Sequence, residues 1–320
     1  MATFSFIIPV KPDGFIAALS ALRHLQSSDH PFEILIAEGC SPSRQRNAAA
    51  NEAHGEIIYF LDDDSMVSAD CLSLCARIME DPGIAVVGGP SLTPASDSLR
   101  QQLFGSALSS LLGAGAVRNR YRASGITRST SDKELILCNL AIRRNVFTDS
   151  GGFDERLYPN EENELLDRIR SRGMKLIHAP EMAIQRSQRQ TVRLFIRQMF
   201  SYGRGRAQQT LIAGPGTIIS FAPLFFLLYL LLLPFLSRNL LTLAPLITYL
   251  SLVIIFSVAG VIASRSLSRL LLIPLYPLMH ISNGCGLLFG LLGGKSGPSG
   301  MGQRSEITIR RIKEFNQSTF

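Results

Sequence analysis

Short apolar runs alternate with helical spacings through residues 1–180. Phe4–Val10 (FSFIIPV), Phe32–Ala37 (FEILIA), Ile57–Leu61 (IIYFL) and Ile84–Val87 have the length and composition of buried strands. Between them, Ile16–Leu25, Ser43–His54 and Ala69–Glu80 carry apolar residues at helical intervals. Strands separated by helices predict an α/β domain on a mostly parallel central sheet. In such domains functional groups collect at the carboxyl ends of the strands. Farther on, Asn160-Glu161-Glu162-Asn163-Glu164 opens a helix whose Leu165, Leu166 and Ile169 form an apolar stripe. Val192, Phe195, Ile196 and Met199 then share one helical face, with Arg193 and Arg197 pointing elsewhere. That pattern suits either an anionic membrane surface or packing on the preceding domain.

Beyond Arg206 the pattern changes. As far as Lys295 the only charged residues are Arg238, Arg265 and Arg269, and they leave three apolar runs of about 20 residues, enough to cross a hydrocarbon core as helices. The runs extend from about Thr217 to Leu236, Leu240 to Ala263 and Leu270 to Leu292. The third contains Pro274, Pro277, Gly284, Gly286 and His280, which suits a broken or re-entrant helix as well as a full span. The expected organisation is a cytoplasmic domain over 1–185, a basic amphipathic interfacial segment over 186–213, a helical transmembrane region over 214–294 and a basic tail over 295–320. Three crossings put that tail outside, whereas Lys295, Arg304, Arg310, Arg311 and Lys313 favour the inside. The pattern leaves the side of the tail open.

Charge sharpens this division. The 320 residues carry a net +7, yet Met182–Ser305 holds eleven Arg or Lys and no acid, while residues 1–181 are net −5. Such segregation excludes a uniformly basic nucleic-acid binder. The apolar start Phe4–Val10 is too short for a signal peptide and lacks a charged region before it. The Arg cluster ahead of the first apolar run (Arg186, Arg189, Arg193, Arg197, Arg204, Arg206) is of the kind retained in the cytoplasm. The five cysteines show no Cys-x-x-Cys pair, and reduced thiols are expected.

Candidate chemistry gathers where the strands end. Asp62-Asp63-Asp64 follows the third strand, and three adjacent carboxylates are most easily held together by a cation. Oxygen ligands favour Mg²⁺ or Mn²⁺, with a diphosphate completing the coordination shell. Arg44 and Arg46 after the second strand are suited to phosphate or a nucleotide base, and Glu38 to a base or ribose.

Taken in order, FSFIIPV, SPSRQRNAAANEAHGEIIYFLDDDS, GGFDE and NEENELLDRIRSRGMKLIHAP resemble the inverting glycosyltransferases of family 2, which have the nucleotide-sugar-binding GT-A fold. The later pieces FSYGRGRA and PLMHISNGCGLLFGLL resemble its membrane-attached subgroup that includes glycosyltransferases of succinoglycan biosynthesis. The resemblance implies that Asp64 binds the metal and that Asp62 contacts metal or ribose, with Asp63 between them in the nucleotide-sugar site. Pro9, Val10 and Glu38 match positions lining the base, and Arg46 a basic position beside it. Where the family has Glu-Asp, with Asp as catalytic base, this chain has Glu161-Glu162, so the implied base is Glu162, with Glu161 next to it. Arg204 is the candidate cation for the leaving diphosphate. The processive motif Gln-x-x-Arg-Trp is absent, as is Trp altogether. A single transfer from a nucleotide sugar to a polyprenyl-diphosphate-linked saccharide at the plasma (inner) membrane is therefore expected. Two alternatives stand beside it: transfer to a polyprenyl phosphate, and a membrane-anchored sugar-nucleotide binder without turnover.

Overall fold

A computed structural model of the protein describes residues 1–320 except 26–29, 215–216, 237–238, 294–305, 316 and 318–319. Arg238, Lys295 and Arg304 therefore lie outside the described residues. The chain runs through β1 (Phe4–Val10), α1 (Ala18–Leu22), β2 (Phe32–Glu38), α2 (Pro42–Glu52), β3 (Ile57–Leu61), α3 (Cys71–Ile78), β4 (Ile84–Gly88) and β5 (Ser91–Leu92). It continues with α4 (Leu99–Ser109), α5 (Leu111–Ala114), β6 (Arg128–Ser129), β7 (Asn139–Arg143), α6 (Arg144–Asp149), α7 (Glu161–Ser171), β8 (Lys175–His178) and β9 (Ile184–Gln185). The long helices α8 (Val192–Ala213), α9 (Ala222–Leu232), α10 (Leu240–Ser264) and α11 (Leu272–Leu291) precede a last strand, β10 (Thr308–Lys313). Two compact units result: Met1–Pro94 with Asn119–Ser187 and Ser296–Phe320, and Ala95–Arg118 with Gln188–Lys295.

In the first unit, alternation along the strands divides the core between two faces of the sheet. Phe4, Phe6 and Ile8 pack with Ala18 and Leu22 of α1 and Leu72 and Cys75 of α3. Ile7, Ile58 and Phe60 pack on the other face with Ala49 and Ala50 of α2 and Leu165, Leu166 and Ile169 of α7. Among the described residues eight strands form the main sheet, in the order β10-β2-β1-β3-β7-β4-β8-β6. The four strands legible in the sequence are present. The sheet is mixed, because β7 pairs antiparallel with both β3 and β4, and β6 pairs antiparallel with β8.

The C-terminal segment does more than carry charge. Residues expected as a basic tail form β10, antiparallel to β2, with Thr308 opposite Glu38 and Arg310 opposite Ile36. Arg311 Nε lies 3.2 Å from Glu33 Oε2, in a carboxylate almost wholly inaccessible to solvent. The other oxygen of Glu33 accepts from Ser5 Oγ and the His54 N–H. Lys313 Nζ donates to Phe32 O and stands 4.1 Å from the centre of the Phe32 ring. A strand that supplies a counter-cation to a buried acid is fixed to the sheet by more than its ladder.

In the second unit α8 and α11 pack closely enough that a Cβ on Gly203 would fall 2.0 Å from Asn283 O, and one on Gly286 2.0 Å from Phe200 O. The Phe104 and Phe195 rings stack at 4.3 Å, joining α4 to α8. Tyr249 donates to His280 Nδ1 (2.8 Å), so His280 Nε2 carries the proton given to Leu112 O (3.0 Å). Three stretches, Ile218–Phe235, Leu240–Ser264 and Leu267–Leu291, are long and apolar enough to cross a membrane.

Arg311→Met should strand the Glu33 carboxylate and cost about 1–3 kcal/mol, read as a lower thermal midpoint in detergent. The double change Arg311→Met with Glu33→Gln should recover most of that loss. A midpoint unmoved by Arg311→Met would show that the guanidinium does not support Glu33.

Candidate active site

β3 ends at Leu61, and the next three residues turn away as the Asp triplet. The turn is held by Ser65, whose N–H donates to Asp62 O while its hydroxyl accepts from the Asp62 N–H and donates to Cys138 O. Asp63 O accepts from the Ala18 N–H, so the triplet is tied to α1 as well. Burial raises the Asp63 pKa, and the neighbouring Asp64 and Asp62 raise it further.

Opposite stands the first turn of α7. Asn160 enters it in the left-handed conformation (φ 87°), which Asn tolerates better than most residues. The turn sets Glu161 and Glu162 inward and buried at the positive end of the helix, favourable ground for carboxylates. Upstream, Asn47 of α2 binds both the N–H and the C=O of Phe153, fixing the GGFDE turn to α2. Ser43 Oγ donates to Leu157 O from the same helix.

Three guanidinium groups hold these acids together. Arg46, almost fully buried on α2, donates from Nη2 to Asp62 (2.8 Å) and from Nη1 to Glu161 (3.0 Å), joining the end of β3 to the start of α7. Arg186, just after β9, reaches Asp62 Oδ2 (3.0 Å) from Nη2 and Asp64 Oδ1 (2.5 Å) from Nε. Against the cost of partial burial, Asp62 and then Asp64 keep Arg186 protonated. Arg120 is anchored on the carbonyls of Lys133 and Asp132, contacts Asn163 Oδ1, and lies 3.4 Å from Glu162 Oε1. Burial raises the Glu161 pKa; Arg46 pulls the other way, and Glu162 adds to the rise.

The sequence-derived candidates fall in three places. Asp62, Arg46 and Glu161 are joined directly, with Asp64 linked through Arg186 and Glu162 beside Glu161 on α7. Pro9 and Val10 end β1, where Val10 O accepts from Gln45 Nε2, and Glu38 ends β2, ion-paired to Arg310 of β10 (3.0 Å). Arg204 belongs to the other unit, on α8. Arg44 pairs only loosely, with Glu155 at 3.5 Å on the surface. Sequence reasoning missed Arg120 and misplaced Arg186, which the charge pattern assigned to the membrane flank. No motif marks either residue; the one available signal for Arg186 was its position immediately after the short apolar run preceding the amphipathic helix.

As a divalent-cation site, Asp62 and Asp64 offer hard oxygen donors of the kind Mg²⁺ and Mn²⁺ accept. Among the described residues no group of three or more His, Cys, Asp or Glu side chains gathers as a complete cage. Two carboxylates fit only an ion that draws its remaining ligands from outside the protein, and here the Arg186 guanidinium bridges them.

Arg46→Met should leave Asp62 and Glu161 without their shared cation and destabilise the protein by about 3–5 kcal/mol. The loss should be smaller at pH 5 than at pH 8, because a protonated Glu161 needs no counter-charge. Thermal unfolding at the two pH values checks both statements, and an equal loss at both would remove Glu161 from the explanation.

No curated protein sequence matches the chain. Among solved structures the fold is similar to the mannosyltransferase PcManGT from Pyrobaculum calidifontis in complex with GDP-Man and Mn²⁺, at 14% identity and a TM-score of 0.53, over 91% of this chain and 88% of that one. S. aureus TarS 1–349 in complex with UDP-GlcNAc matches at 13% identity and a TM-score of 0.46, over 88% and 90% of the two chains. The sequence profile of Glycosyl transferase family group 2 matches residues 57–259, from the strand that carries the Asp triplet through most of the apolar helices. The chain belongs to glycosyltransferase family 2 and is a glycosyltransferase with a GT-A-type α/β domain followed by apolar helices long enough to span a membrane.

Proposed function

We propose that the protein is an inverting, metal-dependent glycosyltransferase that moves one sugar from a nucleotide-sugar donor to a polyprenyl-diphosphate-linked saccharide at the cytoplasmic face of the plasma (inner) membrane. The observation that carries this reading is the Arg46 bridge, which brings the Asp62 end of β3 and the glutamate pair of α7 to one place. Donor and acceptor machinery must meet there for a single displacement. The GDP-Man and Mn²⁺ in the complex of the similar mannosyltransferase support the choice of donor class and metal.

In this scheme Pro9, Val10 and Glu38 line the nucleotide base, and Asp62 and Asp63 face the ribose and diphosphate. Asp64 and Asp62 would hold Mg²⁺ or Mn²⁺, which would supply positive charge against that developing on the departing diphosphate. Glu162 accepts the proton of the acceptor hydroxyl as that oxygen attacks the anomeric carbon; the C–O bond to the donor diphosphate breaks on the opposite face. Arg120 orients Glu162 from the side, and Arg46 keeps Glu161 beside it. Arg186, engaged with Asp62 and Asp64, is a positioning residue for the triplet.

Membrane attachment serves the acceptor. A saccharide on a polyprenyl diphosphate lies at the bilayer surface, so a catalytic domain anchored there meets it at high effective concentration. With no Trp and no Gln-x-x-Arg-Trp motif, the chain is suited to one transfer per encounter.

Glu162→Gln should lower kcat by about 10²–10⁴-fold, the usual contribution of a general base, with donor affinity retained. Asp64→Ala should abolish metal-dependent transfer and weaken Mn²⁺ binding. Radiolabelled sugar transfer to lipid extract, together with donor calorimetry, reads both. Full turnover by Glu162→Gln would favour a phosphate acceptor, which needs no base. Donor binding without transfer to any lipid by the unaltered protein would favour a binding protein.

A further inference from the structure

Three stretches are apolar enough to span a bilayer, yet the chain begins and ends this region within one sheet. The first unit contributes β2 before the apolar helices and β10 after them, and the two strands are hydrogen-bonded neighbours. A sheet cannot be divided between the two sides of a membrane, so the number of crossings between Ser187 and Thr308 is even. At least one of the three helices does not cross.

The second unit identifies which. Ala95–Arg118 leaves the α/β unit after Pro94 and rejoins it at Asn119. Crossing twice takes about 40 residues, more than this excursion holds, so its helices α4 and α5 stay on the side of the sheet. Arg269, in the first turn of the third apolar stretch, donates from Nη1 to Gln102 O (3.1 Å) and Ser106 Oγ (2.5 Å) of α4. The start of Leu267–Leu291 is thereby tied to a segment that cannot cross. Its middle is tied to the same excursion by His280 Nε2 and Leu112 O. Its last turns lie against α8 at Gly203, Phe200 and Ala207, on a helix that also carries Arg197, Arg204, Arg206 and Gln208 and is too polar for the hydrocarbon core. Its end leads to β10. Burial separates the same helix from the other two: 44% of the apolar 18-residue core of Leu267–Leu291 is buried within the protein, against 11% of the corresponding cores of Ile218–Phe235 and Leu240–Ser264.

We propose, on the reading that these helices are embedded in a membrane, that Ile218–Phe235 and Leu240–Ser264 cross as a hairpin while Leu267–Leu291 enters and leaves on the catalytic side. There α11, α8, α4 and α5 make the lipid-facing platform of the enzyme. Arg265 and Arg269 then lie at the cytoplasmic end of the hairpin, the side on which basic residues are retained.

The test is one-sided thiol labelling of the full chain in a bacterial host. Asn239→Cys, Ser266→Cys and Gln317→Cys are each exposed to a membrane-impermeant maleimide in right-side-out and inverted vesicles, with the unaltered chain as baseline. Asn239→Cys should react above baseline only in right-side-out vesicles, and Ser266→Cys and Gln317→Cys only in inverted ones. In parallel, an epitope tag after Phe320 on the unaltered chain should be lost to protease only in inverted vesicles, whether or not a variant folds. Reaction of Ser266→Cys from outside, or of Asn239→Cys from inside, would overturn the hairpin, and loss of the tag in right-side-out vesicles would overturn the closure through β10. Release of the protein by alkaline carbonate would instead overturn the membrane reading itself.

Discussion

Five carboxylates at one end of a sheet repel one another, and everything in the catalytic half of this protein is arranged around that repulsion. Asp62, Asp63 and Asp64 end one strand, and Glu161 and Glu162 begin a helix; Arg46, Arg186 and Arg120 stand among them. The guanidinium suits this work because its fixed fork reaches two acids at once without losing its charge. Arg46 uses that fork to set the distance between the end of β3 and the start of α7. Burial leaves little room for error, since an acid that loses its partner there is costly in a way a surface acid is not.

The same rule holds at the other edge of the sheet. Glu33 is buried on β2, and its cation arrives from the far end of the chain, on β10. A basic edge strand would be a modest addition to the fold by its hydrogen bonds alone. As the carrier of Arg311 and Lys313 it is bound into the core, and it limits where the intervening helices can lead. Electrostatics inside the soluble unit thus bears on the topology of the apolar region.

Much of the architecture was readable from residues alone, and the exceptions share a cause. β1 to β4 are continuous apolar runs, and α2, α3 and α7 have apolar stripes, so burial wrote their pattern locally. β7 reads NLAIR and β8 reads KLIH, too short and too mixed to stand out. β10 reads TIRRIK, where Ile309 and Ile312 stand three residues apart on opposite faces of the sheet, so no alternation marks the strand. The Asp triplet and the glutamate pair were legible because their acids are adjacent in sequence. Arg186 was not, because its meaning lies in contacts more than a hundred residues away. Its charge matched the neighbouring membrane-flank arginines, and composition cannot separate a cation facing lipid from one facing acids.

A single in-line displacement with Glu162 as base, as proposed for this enzyme, is read out in the stereochemistry of the product. Membranes containing the protein, given nucleotide sugars with Mg²⁺ or Mn²⁺ and a polyprenyl-diphosphate saccharide acceptor, should yield a lipid-linked product whose new glycosidic bond has the anomeric configuration opposite to the donor, read by proton NMR. A product that retains the donor configuration would contradict the account.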